Sequence, residues 1–215
     1  MTDTSATFPG TGGNNAVAGD VAWTSTGNIV SSNNVRATCA LRGEPFQSSQ
    51  YLRASNFGFA IPAGATINGI KVEWEKKADF TNELKDTAIR IVKADGSIGT
   101  TDKSSAVNWP LTEAFTTYGG ATDLWGETWT SADINDIDFG SVLRVVVISG
   151  GGDNDPLVDS CRITISYTEK TGTNMQVNIG DAWKTVAGMQ INIGDAWKTV
   201  AGAKVNIGDV WKTIF

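Results

Sequence analysis

Residues 69–77 read Gly69-Ile70-Lys71-Val72-Glu73-Trp74-Glu75-Lys76-Lys77. Ile70, Val72 and Trp74 alternate with Lys71, Glu73 and Glu75, the two-residue period of a half-buried antiparallel strand. The same alternation recurs along the chain. Residues 57–61 (FGFAI), 86–93 (DTAIRIVK), 114–119 (AFTTYG) and 141–149 (SVLRVVVIS) read as strands. So does the stretch around Cys161, with Cys161, Ile163, Ile165 and Tyr167 in one register, and the stretch around Cys39, with Val35, Ala37, Cys39 and Leu41. Turn chemistry separates them at Ile61-Pro62-Ala63-Gly64, Ala94-Asp95-Gly96-Ser97 and Tyr118-Gly119-Gly120. One short helical turn is expected over 131–135, after Trp129; no window carries a sustained 3.6-residue apolar period. About eight short strands at this spacing predict an all-β fold, an antiparallel β-sandwich of jelly-roll type. Ile70, Val72, Trp74, Leu143, Val145, Val147, Ile163 and Ile165 are its expected core.

Residues 1–20 are polar, Gly-rich and unpatterned, and read as a flexible N-terminal arm. The sandwich is placed at 21–168 and a linker at 169–174. From 175 to 215 a 14-residue unit occurs three times: MQVNIGDAWKTVAG, MQINIGDAWKTVAG and AKVNIGDVWKTIF, with Trp183, Trp197 and Trp211 spaced 14 apart. Fourteen divides as strand five, turn two, strand five, turn two. Two-residue turns bearing Gly are favoured hairpin connections, so three β-hairpin repeats in a six-stranded meander are expected. If Ile179 pairs with Ala182, Val177, Ile179 and Ala182 share one face, and Asn178 and Trp183 the other. The three Trp would then stand about 9.5 Å apart, twice the inter-strand spacing. A three-residue Gly180-Asp181-Ala182 loop would instead put Trp183 on the aliphatic face. Either way so small a sheet is marginal alone and calls for a partner. Trp183, Trp197, Trp211, Ile179, Ile193 and Ile207 are therefore its candidate assembly interface, the Trp ladder being alternatively a saccharide platform.

A net charge of −6 and a pI near 4.6 argue against a phosphate-binding surface, which needs clustered Lys and Arg. No 18-residue apolar run is present to cross a bilayer, and the N-terminus shows neither a basic leader nor an apolar segment of a secretory signal. Histidine is absent, so His-based catalysis and His metal ligation are excluded. Cys39 and Cys161 are expected to point inward as core thiols. A bond between them would need the first and last body strands to be neighbours, and the reducing cytosol favours free thiols. Glu73 and Glu75 stand on the solvent side of their strand, where exposed carboxylates are ordinary. No acid/base or nucleophile constellation stands out, so no enzyme activity and no cofactor are expected. The loop 150–160 offers Asp153, Asp155 and Asp159 as weak calcium candidates, without EF-hand spacing. Trp125 and Trp129 lie close enough to form a sugar-stacking platform, or to plug one end of the sandwich.

The runs FGFAIPAGATINGIKVEWEKKA, YGGATDLWGETWTSADINDIDFG and VDSCRITISYT, with the opening AWTSTGNIVSSNNVRATCAL, resemble a β-sandwich module of tailed-bacteriophage and prophage proteins. The units VNIGDAWKTV are similar to V-N-[VI]-G-x-x-W-K repeats found in tandem in phage virion proteins, often fibre-associated. This resemblance implies a structural protein exposed on the virion surface, made in the host cytoplasm: a head decoration or head fibre, or a tail-fibre-type protein. The first is preferred because nothing in the chain serves as a long shaft. The partners it implies are other virion proteins and copies of itself as a homo-oligomer, with neither nucleic acid nor membrane insertion. A carbohydrate-binding module for host attachment is the alternative.

Overall fold

The computed structural model describes residues 1–41, 46–79, 83–148 and 155–170 in full, and the backbone of six short strands between 176 and 213. The chain divides into two compact units, Met1–Glu169 and Lys170–Phe215.

Among its described residues the first unit holds nine strands: β1 (Thr2–Asp3), β2 (Thr11–Asn15), β3 (Ala37–Thr38), β4 (Tyr51–Ser55), β5 (Thr66–Ala78), β6 (Leu84–Val92), β7 (Ala114–Gly120), β8 (Gly140–Val147) and β9 (Pro156–Thr168). They form two antiparallel sheets. The first runs β1-β9-β5-β7, with β3 also on β9; the second runs β2-β4-β8-β6. The long β5 and β9 pair along their length, with Val72 opposite Ile163 and Trp74 opposite Cys161. Their even- and odd-numbered apolar residues thus meet on one face. Val145 and Val147 of β8 and Ile89 and Ile91 of β6 join them in a single buried cluster fed by both sheets. All eight expected core residues are fully buried. The sole α-helix among the described residues, α1 (Ser131–Asn135), opens on a reciprocal cap: Thr130 Oγ1 accepts from Asp133 N–H, and the Asp133 carboxylate accepts from Thr130 N–H.

Four local expectations differ from the structure. Residues 1–20 are no loose arm: β1 pairs with β9, and β2 pairs with β4, placing the N-terminus in both sheets. Three of the four glycines that suggest looseness, Gly10, Gly12 and Gly19, sit at close approach; a Cβ on Gly12 would lie 2.0 Å from the Thr26 carbonyl oxygen. Residues 57–61 alternate correctly, burying Phe57, Phe59 and Ile61, but form no strand. Asn56 and Gly58 take left-handed backbone there. The Ile61 peptide groups are satisfied by the Asn135 side chain instead of a ladder, at 2.8 and 2.9 Å. Tyr118-Gly119-Gly120 is not a turn but the end of β7, where Gly119 at φ 71° lets Ile70 and Trp125 close in. Val35 is exposed, while Ala37, Cys39 and Leu41 of its register are buried.

Among its described residues the second unit contains three antiparallel strand pairs: β10 (Gln176–Ile179) with β11 (Ala182–Thr185), β12 (Gln190–Ile193) with β13 (Ala196–Thr199), and β14 (Lys204–Ile207) with β15 (Val210–Thr213). Each has the same register, with Ile179 opposite Ala182, Ile193 opposite Ala196 and Ile207 opposite Val210. Each stands as its own two-stranded sheet, and no pairing joins one to the next among the described residues, in place of the expected six-stranded meander.

Candidate functional site

The inward register of β5 runs one step further than its apolar residues. Lys76 follows Ile70, Val72 and Trp74 on the same face, and its side chain is 2% exposed. Opposite it, on β6, Asp86 precedes an irregularity at Asp86/Ala88 and turns its carboxylate inward at 1% exposure. The Lys76 ammonium donates to Asp86 Oδ1 and, at 2.6 Å, to the Tyr118 hydroxyl. Tyr118, on β7, donates in turn to Asp86 Oδ2 at 2.5 Å. Trp109 Nε1 donates to Asp86 Oδ1 at 2.8 Å, and the Ser105 N–H to Oδ2 at 3.2 Å. The Lys76 nitrogen also lies 4.5 Å from the Trp109 ring centroid and 5.3 Å from that of Tyr118, within cation–π range. The segment carrying Ser105 and Trp109 ties both sheets: Trp109 N–H donates to the Leu84 carbonyl, and Ala78 N–H to that of Pro110.

Burial pulls the Lys76 ammonium below its usual range, with the Asp86 carboxylate opposing that shift. The Tyr118 phenol is pushed well up, first by burial and then by the charge of Asp86. A cavity of about 190 Å³, lined by Lys76, Asp86, Ser105, Trp109 and Thr116 among others, adjoins the cluster. An ionisable pair so enclosed is costly to bury, and the four donors gathered on the one carboxylate offset that cost.

The residues singled out from sequence are placed differently. Trp125 is buried, with its indole N–H on the Ile70 carbonyl at 2.9 Å, so it presents no face to a sugar. Trp129 is half-buried, donates to the Leu124 carbonyl at 2.9 Å and packs edge-on against Phe139. It lines a cleft of about 320 Å³ with Lys93, Asp95, Glu127 and Asp133, in which Lys93 pairs with Glu127 at 3.1 Å. Of the calcium candidates, Asp153 lies outside the described residues. Asp155 directly precedes β9 and Asp159 lies within it, four residues on. Asp159 is the unpaired residue of a β-bulge, and its Oδ2 accepts from Asn33 N–H. Among the described residues no three acidic or Cys side chains gather as a metal site. The side chains of Trp183, Trp197, Trp211, Ile179, Ile193 and Ile207 lie outside the described residues.

Both cysteines are buried and unbonded, and burial pushes the Cys39 thiol up to about 12 and that of Cys161 well above its ordinary value. Neither is a nucleophile at neutral pH. Glu73 faces outward as expected but is 6% exposed, covered by Arg162, which donates at 3.0 and 3.1 Å and lies over the Phe115 ring. Burial works against its charge, and the Arg162 and Lys71 cations outweigh it, holding the carboxyl below its ordinary 4.5. Arg36, with two bonds of 2.6 Å, holds the Glu113 carboxyl below the same value. Carboxyls depressed by folding stabilise the fold above their unfolded values and lose that contribution as pH falls through the folded ones. Melting temperature should therefore decline on acidification below about pH 4.5. Glu113→Gln should flatten that decline; an acid limb as steep as wild type would exclude Glu113 from it.

In comparisons with protein families, curated proteins and solved structures, the chain finds no match.

Proposed function

We propose that the chain is a non-enzymatic structural component of a tailed-phage particle, displayed at the virion surface and anchored through its C-terminal repeats. In this reading the first unit is a β-sandwich of jelly-roll type and the second is three β-hairpin repeats. The observation that carries it is the second unit: three strand pairs of four residues a side, in identical register, each a separate two-stranded sheet. An isolated two-stranded hairpin is at best marginally stable in water, and its open edges invite pairing with another chain. Threefold repetition of one unit suits a repeated docking surface on a particle built of many copies. The first unit, with its own core, is left to face outward.

A head-decoration or fibre-type position both satisfy this reading. Gradient-purified particles should contain the chain by mass spectrometry, and gold-labelled antibody should mark intact particles at their surface. Its recovery in the soluble fraction alone would refute the assignment. A glycan-binding reading is favoured by one feature, the half-buried Trp129 beside the acidic cleft; it rests on Trp129 without Trp125.

A further inference from the structure

We propose that Lys76 and Asp86 condense into an intramolecular amide, a covalent cross-link between β5 of one sheet and β6 of the other. The inference stands on the cluster alone and does not depend on the proposed function. No backbone ladder joins β5 to β6; they belong to different sheets, and these two side chains bridge them.

The geometry supplies what such a condensation needs. The nucleophile and the carboxyl are held in contact by the strands that carry them, so the entropy of bringing them together is already met by folding; well-oriented intramolecular pairs reach effective molarities of about 10⁵ M or more. The ion pair is nearly free of solvent, and burial raises charged groups in free energy relative to a neutral amide. The Trp109 and Tyr118 rings fix the amine from its sides. Trp109 Nε1, on Asp86 Oδ1, is placed to stabilise negative charge developing on that oxygen. Tyr118 touches both reactants, accepting from Lys76 and donating to Asp86 Oδ2.

The step balances within the pair. A proton passes from the Lys76 ammonium through the Tyr118 hydroxyl to Asp86 Oδ2, leaving a neutral amine and a carboxylic acid. The amine nitrogen forms a bond to the Asp86 carboxyl carbon, with Oδ1 carrying the developing charge beside Trp109. A second proton leaves the nitrogen by the same hydroxyl, the bond from carbon to Oδ2 breaks, and Oδ2 departs as water. The ammonium and carboxylate together become one amide and one water, with no oxidant or activating group. The adjoining cavity of about 190 Å³ can receive the water.

Intact mass of the full chain, folded at neutral pH and then denatured, reads the product directly. The expected mass is lower than the sequence requires by one water, and digestion should yield a branched peptide joining the segments around Lys76 and Asp86. Asp95-Gly96 could also lose one water by succinimide formation, so the Lys76→Met variant is the control. It should return to the full sequence mass, whereas a succinimide would persist. Tyr118→Phe should form the amide roughly a hundred-fold more slowly; an equal rate would overturn the relay. A wild-type chain that keeps its full mass after prolonged incubation overturns the proposal, as does a deficit that survives in Lys76→Met. The reading is taken on denatured protein, and the wild-type result does not depend on any variant folding.

Discussion

Trp74→Ala is expected to destabilise the first unit by about 3–5 kcal/mol, the usual range for deleting a large buried aromatic side chain. Trp74 is fully buried on β5, in the central part of the first sheet, and its indole N–H reaches the Ser141 hydroxyl on β8 of the second at 3.4 Å. The lost volume would lie between two sheets whose strands are held by their own ladders, so the walls cannot close over it. At roughly 2–4 °C per kcal/mol for a unit of this size, the melting temperature should fall by about 10 °C. Calorimetry would show it, and a fall within about 2 °C would mean that the core is not organised around this residue.

Measured against wild-type chain in which Lys76 and Asp86 have not yet condensed, Asp86→Ala should cost a similar amount, about 3–5 kcal/mol, for a different reason. The loss in packing is small, but it removes the acceptor for Lys76, Tyr118, Trp109 and the Ser105 N–H at once. Lys76 is then left buried with no counter-ion within the cluster. Replacing both partners by apolar residues, Lys76→Met with Asp86→Leu, should cost less than Asp86→Ala alone, because no ion remains to be buried. Chemical denaturation of the three proteins orders them; a double variant less stable than Asp86→Ala would contradict the electrostatic account.

The all-β class and the central core were legible because alternation is strongest where one face is buried, as in β5, β8 and β9. The short partners were less so. β4 carries the mixed run Tyr51–Ser55, buried on both faces, so no alternation marks it. β2 is TGGNN, in which Gly12 permits backbone contact and neither glycine offers an apolar signal. The run at 57–61 shows the converse: its period is right, but left-handed residues and the Asn135 side chain take the place of a neighbouring strand. The Lys76–Asp86 cluster had a readable half. Lys76 stands in the inward phase of its strand, two residues after Trp74, and a Lys there requires a buried partner. Which carboxylate answers it was hidden, because Asp86 sits beside a strand irregularity and Tyr118 and Trp109 arrive from elsewhere in the chain. Trp125 and Trp129 lie close in sequence, yet local spacing does not reveal that the first is enclosed by Gly119 and Ile70.

The second unit is proposed to be the attachment device, and the first to be self-sufficient. Tagged full-length chain and a version ending at Glu169 should be supplied together during particle assembly, and their content in purified particles compared. The account predicts that the shortened chain melts as the first unit of the full chain does, but stays out of the particles while the full chain enters. Equal incorporation of the two would contradict it.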